Sequence, residues 1–340
     1  MGRKLRLLVG AVKDTASVTK ATLLSSSTSS YAAAADLAVL RATAHHPPSS
    51  PPHPRHIAAL LLFGDGARPA ATALAASLSA RLLSTRDSSV ALKSLLCLHL
   101  LLRSAPFILL DQLTFSLYAR HGRRSPLLLS SFPLGSDPLS WSLSSCVRWY
   151  SRLLELLLLL PAPFPAAFAT GNCDHHLSEW VSSLLNGDLV SEIESLEKLV
   201  HEASLPPEMP AAAGNRLVAE VVRLVGEDRL TAEHGILVRL REVRERLGSF
   251  GFADAVELAC VVRRLEECRD RQPFDAKWTV DDEAKRSFWK EVRQVSEMLE
   301  NLLVKEPREV RRERTGSVSA RIVDRTGSSV RFSSSRWLNV

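Results

Sequence analysis

Aromatic residues make up only 6% of this 340-residue chain, against a hydrophobic content of 46%. The apolar material is therefore leucine and alanine, which favours an all-helical protein. Cysteine is sparse and unpatterned: Cys97, Cys146, Cys173, Cys260 and Cys268 are odd in number and form no CxxC. No disulfide framework is expected; three of the five fall in apolar helical patterns, and a reducing, cytosolic setting fits them. Long hydrophobic runs are missing too. The greasiest, Leu153–Leu160, contains Glu155 and ends in PAPFP, far short of the ~20 residues that span a bilayer. The opening MGRKLRLLVGAVKD is charged again at Lys13, so it lacks a signal-peptide core, and Arg6 stands where a myristoylation site wants Ser or Thr. Nucleophile elbow, Walker loop, HExxH and paired carboxylates are all absent, and GDGARP at Gly64 lacks the third glycine of a nucleotide loop. Nothing argues for an enzyme or a cofactor.

Acid is what the front of the chain lacks. Residues 1–130 hold 15 Lys/Arg against 5 Asp/Glu, residues 131–305 hold 20 against 28, and residues 306–340 hold 8 against 4. Within the net charge of +6 lie a basic front half and an acidic rear half, one face for an anionic surface and another for something else. The basic character concentrates in DLAVLRATAHHPPSSPPHPRHIAAL, residues 36–60. This stretch predicts the end of one helix, closing on Arg41, His45 and His46, then a proline turn. A second helix opens at His53, Arg55 and His56. The two ends meet at a corner bringing Arg41, His53, Arg55 and His56 together, with no acid nearer in sequence than Asp36. The free N–H groups at the second helix start add an anion site, so a phosphorylated lipid headgroup is the expected ligand.

Helical signals continue along the chain. Residues 3–20 form an amphipathic helix carrying Lys4, Lys13 and Lys20, followed by a Ser-rich linker. Gly64–Gly66 is a turn, residues 69–84 a helix, and Asp87-Ser88-Ser89 a cap for the almost wholly apolar Val90–Arg103. Pro106 opens a helix ending near Gly122, and Asp137-Pro138 starts another that stops at Pro161. A loop follows at 161–174. Three stripes mark the rear: Leu189, Ile193, Leu196, Val200; then Ile236, Leu240, Val243, Leu247; then Phe288, Val292, Val295, Leu299, Leu303. Asn186-Gly187-Asp188, Gly226 and Gly248 punctuate the gaps, and no stretch alternates as a strand does. Antiparallel helices stacked as a superhelix are expected, with a disordered tail from Thr315 that holds RTGS twice. For that repeat, a kinase substrate and a plain solvated tail stay open as readings.

Two local features predict less than they suggest. Cys173-Asp174-His175-His176 cannot all reach one ion and no second cluster completes them, so no metal is expected. His99, inside the apolar Val90–Arg103 helix, reads as a hydrogen-bonded core histidine.

The segments GAVKDTASVTKA (10–21), LAVLRATAHH (37–46), PRHIAAL (54–60), VALKSLLCLHLLLR (90–103) and SSCVRWYSRLLE (144–155) resemble, in order and spacing, the plant ANTH-domain family of clathrin assembly proteins. The rear segment FGFADAVELACVVRRLEECRDR is similar to the end of that domain. The resemblance implies an all-α, right-handed superhelical solenoid of antiparallel helices, of ENTH/ANTH type. Residues 1–160 would be the front layer with the lipid-binding corner, 161–305 the extension of the same domain, and 306–340 a short basic tail. It also implies a site for phosphatidylinositol 4,5-bisphosphate built of three lysines and a histidine. These fall here on Arg41, His53, Arg55 and His56, with Lys13 and Lys20 assisting. The loop between Arg41 and His53 is two residues longer than the family spacing, and His53 puts a mostly neutral ring where the family has a lysine.

Partners implied by the resemblance are the clathrin coat and a vesicle SNARE held by the rear helices. Long members carry NPF, DPF or clathrin-box peptides in an extended C-terminal region. The last 35 residues here hold none, and Asp137-Pro138-Leu139 and Gln272-Pro273-Phe274 serve as helix start and loop. Direct clathrin binding is therefore not expected. The expected role is a cytoplasmic, peripheral adaptor on clathrin-coated pits and vesicles at plasma membrane and Golgi. The alternative is a helical scaffold for SNARE or coat proteins that has lost lipid recognition. Nucleic acid ranks behind both, because the corner lacks interleaved aromatics.

Overall fold

The computed structural model describes residues 12, 14–16, 19, 30–121, 127, 129–160, 174–269, 271 and 282–314, and all regular structure among them is helical. The front layer comprises α1 (Ser30–Ala42), α2 (Pro54–Leu61), α3 (Arg68–Ser84), α4 (Ser88–Ser104), α5 (Phe107–His121) and α6 (Pro138–Leu159). The rear comprises α7 (Asp174–Ser183), α8 (Asn186–Ala203), α9 (Arg216–Arg246), α10 (Phe252–Glu267) and α11 (Asp282–Arg314). Helix α1 packs on α3, α3 on α5, α2 on α4, α4 on α6, α6 on α8, α8 on α10 and α9 on α11. Most helices thus lie against the one two places on, and in the rear α8 also packs on α9 and α10 on α11, which is how a solenoid propagates a core without a sheet. The fold is an all-α solenoid.

Helix starts are written in side chains. Asp87 accepts from the N–H groups of Ser89 and Val90, Asp137 from that of Ser140, and Asn215 from those of Leu217 and Val218. Each cap satisfies orphan donors of a first turn, and Pro138 occupies a position whose N–H would be idle. Between α2 and α3 the chain turns at Gly64. A Cβ there would sit 2.8 Å from Pro106 Cδ and 3.1 Å from Leu109 Cβ, so the turn needs a glycine to let α5 approach.

The apolar Val90–Arg103 stretch is the most enclosed element: α4 buries Leu92, Leu95, Leu96, Leu98 and Leu101 completely. The stripes at 189–200, 236–247 and 288–299 face the core as their spacing requires, with Leu303 partly buried at its edge. His99 is a core histidine as expected. Its Nδ1 lies 2.7 Å from Tyr150 Oη and its Nε2 2.7 Å from Asp228 Oδ2, tying α4 to α6 and α9.

Several expectations need correction. Gly226 is not a gap but lies inside the 31-residue α9, where packing against α8, α4 and α11 outweighs the ~1 kcal/mol a helical glycine costs. Asn186-Gly187-Asp188 forms the first turn of α8 instead of a spacer before it. The first corner helix closes at Ala42, so His45 and His46 belong to the loop. At the other end, α11 continues to Arg314, past residue 305. Lys4, Lys13, Lys20, the Ser-rich linker, Cys173, Gln272-Pro273-Phe274 and the tail from Thr315 lie outside the described residues. No helix among the described residues is long and apolar enough to cross a membrane.

Candidate functional site

Residues 43–53 connect α1 to α2, and cations from the next layer hold them in place. Lys93 of α4, only 3% exposed, donates from Nζ to Ala44 O at 2.6 Å and to Pro47 O at 2.8 Å. Arg81 of α3 donates to the hydroxyl and carbonyl of Thr43, each at 3.1 Å. On the far side Leu217 N–H, in the first turn of α9, donates to Ser49 O at 2.9 Å. These bonds explain why α1 ends at Ala42. The carbonyls that a further turn would have used are satisfied from neighbouring helices.

Asp14 corrects the expected absence of acid. It takes the His45 backbone N–H at 2.7 Å, its other oxygen lies 2.6 Å from His45 Nδ1, and Arg81 stands 3.8 Å away. His45 is therefore consumed in fastening the loop, while His46 is exposed beside it. Neither Lys93, Arg81 nor Asp14 was signalled by sequence, since each acts on residues 31 to 49 positions distant.

The four corner residues do converge. His53 is the N-cap of α2, its Nδ1 accepting the Arg55 N–H at 3.2 Å, and Pro54 follows at the first helical position. Arg55 Nε donates to His56 Nε2 at 3.4 Å, and the rings of His53 and His56 are 6.0 Å apart between centroids. Arg41, in the last turn of α1, is close enough to act on the same ring. Burial lowers the His56 pKa from its ordinary value, and the charges of Arg55, His53 and Arg41 lower it further. Arg41, His53 and Arg55 are exposed and His56 is half-buried. Among the described residues no carboxylate pairs with any of the four. In this arrangement each imidazole accepts a hydrogen bond from Arg55, so the corner presents two guanidinium groups and two imidazole rings side by side.

The described residues hold no group of three or more His, Cys, Asp or Glu able to bind an ion. Cys97 and Cys146 are fully buried, which pushes each thiol pKa up to about 12 and leaves them as packing groups.

The ANTH domain family model matches residues 34–160, which span nearly all of α1 to α6 and include the whole corner. Three Arabidopsis thaliana proteins named for clathrin assembly are similar to this chain. One is 38% identical over 351 residues, covering 98% of this chain and 94% of its own length. A second is 30% identical over 77% of both chains, and a third 27% identical over 78% of this chain and 90% of its own. A domain match over the helices that carry the corner, together with an alignment running nearly end to end, gives the same answer: the chain belongs to the ANTH-domain family of clathrin assembly proteins.

Proposed function

We propose that this protein is a non-enzymatic, peripheral membrane adaptor in clathrin-coated vesicle formation, docking on phosphatidylinositol 4,5-bisphosphate through Arg41, His53, Arg55 and His56. The observation that carries this reading is the charge environment of His56. Arg55, His53 and Arg41 all act on that ring from the same helix corner, and no acidic group is among them. Like charges held together at the surface raise the free energy of the empty corner, and a ligand with several negative charges relieves it. A phosphate seated there can accept from the Arg55 N–H and Nε in place of the two imidazole nitrogens. The freed rings then protonate and donate to the ligand, adding charge-assisted hydrogen bonds.

Lys13 and Lys20 belong to the same reading as auxiliary groups, because Asp14 between them is fastened to the loop. The rear helices are read as the place for a vesicle SNARE. The coat would be met through family-like assembly on coated pits and vesicles at plasma membrane and Golgi. Few bonds per molecule make single binding weak, and a coated patch supplies avidity.

Co-sedimentation with liposomes at physiological salt, with and without the 4,5-bisphosphate lipid, tests the docking site on wild type and Arg41→Glu/Arg55→Glu. Each cation near an anionic surface is worth about 1 kcal/mol, so reversing two should cost roughly tenfold or more. Equal, weak pelleting of both proteins would sink the lipid reading and favour the alternative of a protein-binding scaffold. His53, standing where the family resemblance implies a lysine, is the observation on that side.

A further inference from the structure

The rear half is acidic overall, and many of its cations pair with its own carboxylates. Arg239 lies 2.6 Å from Glu192, Arg229 2.8 Å from Glu233, and Arg264 3.1 Å from Glu197. A cluster at one groove departs from that pattern. Where the end of α10 meets the first turns of α11, a groove of about 470 Å³ is lined by Arg269, Lys285, Arg286, Lys290 and Arg293, with Trp289 among its walls. Arg286 lies 3.5 Å from Glu283. Arg269, Lys285, Lys290 and Arg293 have no acidic partner among the described residues. Glu291, flanked by Lys290 and Arg293 in sequence, is turned inward and bound at 2.8 Å to Arg244, so it neutralises neither. Among the described residues, the only carboxylate lining the groove is that of Glu297, one helical turn beyond Arg293.

We propose that this groove is a second anion site, taking a small, multiply phosphorylated ligand of the inositol-phosphate class on Arg269, Lys285, Lys290 and Arg293. Four cations without an acidic partner among the described residues repel one another around a concave surface, and a ligand with clustered negative charge offsets that repulsion. The volume suits a compact headgroup and falls within the range of small-molecule sites. Gln294 adds a neutral donor, and the buried face of Trp289, packed edge-on against Phe288 at 4.8 Å between centroids, gives the groove a rigid floor. Helix α11 supplies Lys285, Lys290 and Arg293, and Arg269 stands just past the end of α10, its backbone N–H held by Glu266 O at 3.0 Å, so the packing of α10 on α11 sets the site.

The ligand could come from a membrane or from solution, and the test separates them. Protein carrying Arg41→Glu/Arg55→Glu, which removes the front corner, is titrated calorimetrically with soluble inositol hexakisphosphate and separately pelleted with phosphatidylinositol 4,5-bisphosphate vesicles. One saturable site is expected in the titration, weakened at least tenfold when Lys290→Glu/Arg293→Glu is added, because each charge-assisted hydrogen bond removed is worth about tenfold or more. Lys290→Ala/Arg293→Ala, with unchanged thermal unfolding, controls for folding. Pelleting as well as titration assigns the site to membrane lipid; titration alone assigns it to a soluble polyphosphate. No heat in the front-corner variant, or heat indifferent to Lys290 and Arg293, overturns the proposal while leaving the front corner untouched.

Discussion

At the scale of single residues, protons decide how strongly the corner holds an anion. Burial and the neighbouring Arg55, His53 and Arg41 keep the His56 pKa below its ordinary value in the free protein. A bound phosphate reverses the sign of the nearest charge, so binding takes up protons and must strengthen as pH falls. Vesicle affinity should rise several-fold between pH 7.5 and 6, and His53→Lys should raise it at pH 7.5 while flattening the profile. A flat wild-type profile with lipid still bound would remove both histidines from the site. The free fold shows the opposite linkage: its unfolded chain takes the His56 proton first, so lowering pH through the ordinary histidine range costs a little stability. Lys93 acts from behind. Burial pushes its ammonium down to about 8 from 10.5, against the pull of Asp14 and Asp87. Between those values the native state sheds the proton before the unfolded chain does, so the native state gains relative to the unfolded one as pH rises. Lys93→Met, which takes the ammonium donor from the Ala44 carbonyl and leaves Pro47 O only the Ser50 N–H at 3.5 Å, should weaken lipid binding. The gap in unfolding free energy between wild type and variant should also widen from pH 8 to 10 in urea titrations. Arg41, His53, Arg55 and His56 were legible in the sequence because prolines place both helix ends and the chain between is short. Lys93, Arg81 and Asp14 were not, because no local pattern marks a side chain that acts on a loop dozens of residues away.

Elements were legible where a cap or a periodic stripe named them. Asp87, Asp137 and Pro138 stand where the helices begin, since a carboxylate before a first turn satisfies donors that nothing else can reach. Gly226 misled for the complementary reason. Its local cost is real, but α9 is held by faces that pack on α4, α8 and α11, and that sum exceeds one glycine. The same helix shows what local signals omit. Asp228, wholly buried, stands 2.7 Å from His99, and Tyr150 closes the other side of the ring at 2.7 Å, with the Arg103 guanidinium 3.7 Å from Asp228. Burial holds the Tyr150 hydroxyl well above its usual pKa, so it stays neutral and able to donate. Tyr150→Phe leaves His99 Nδ1 buried without a partner and should lower unfolding stability by about 1–3 kcal/mol. Vesicle pelleting of this variant should match wild type, since the lipid corner lies on other elements; a parallel loss of both would mean that α4 transmits the damage to Lys93 and the loop.

Over the whole molecule, the family match ends at residue 160, but the physics does not. Trp149 Nε1 donates to Glu202 O at 2.9 Å, Arg103 pairs with Glu227 at 2.8 Å, and the loop carbonyl of Ser49 receives its hydrogen bond from Leu217 at the start of α9. Each of these bonds joins the front layer to the rear helices, with Trp149 buried and Arg103 half-buried at the junction. Cutting the chain after residue 160 would uncover Trp149 and the helix faces that α8 and α9 cover, strand Arg103 and His99 without their carboxylates, and release one anchor of the anion corner. Buried polar groups left without partners cost more than their bonds contributed, so the front layer should not hold a fixed core alone. A 1–160 fragment is therefore expected to keep helical far-ultraviolet circular dichroism but lose the near-ultraviolet signal, bind a hydrophobic dye, and pellet with lipid far less than the full chain. A 1–314 chain should unfold in one transition. A fragment with native near-ultraviolet dichroism and full lipid binding would show instead that the rear helices are an independent unit added beside a self-sufficient docking layer.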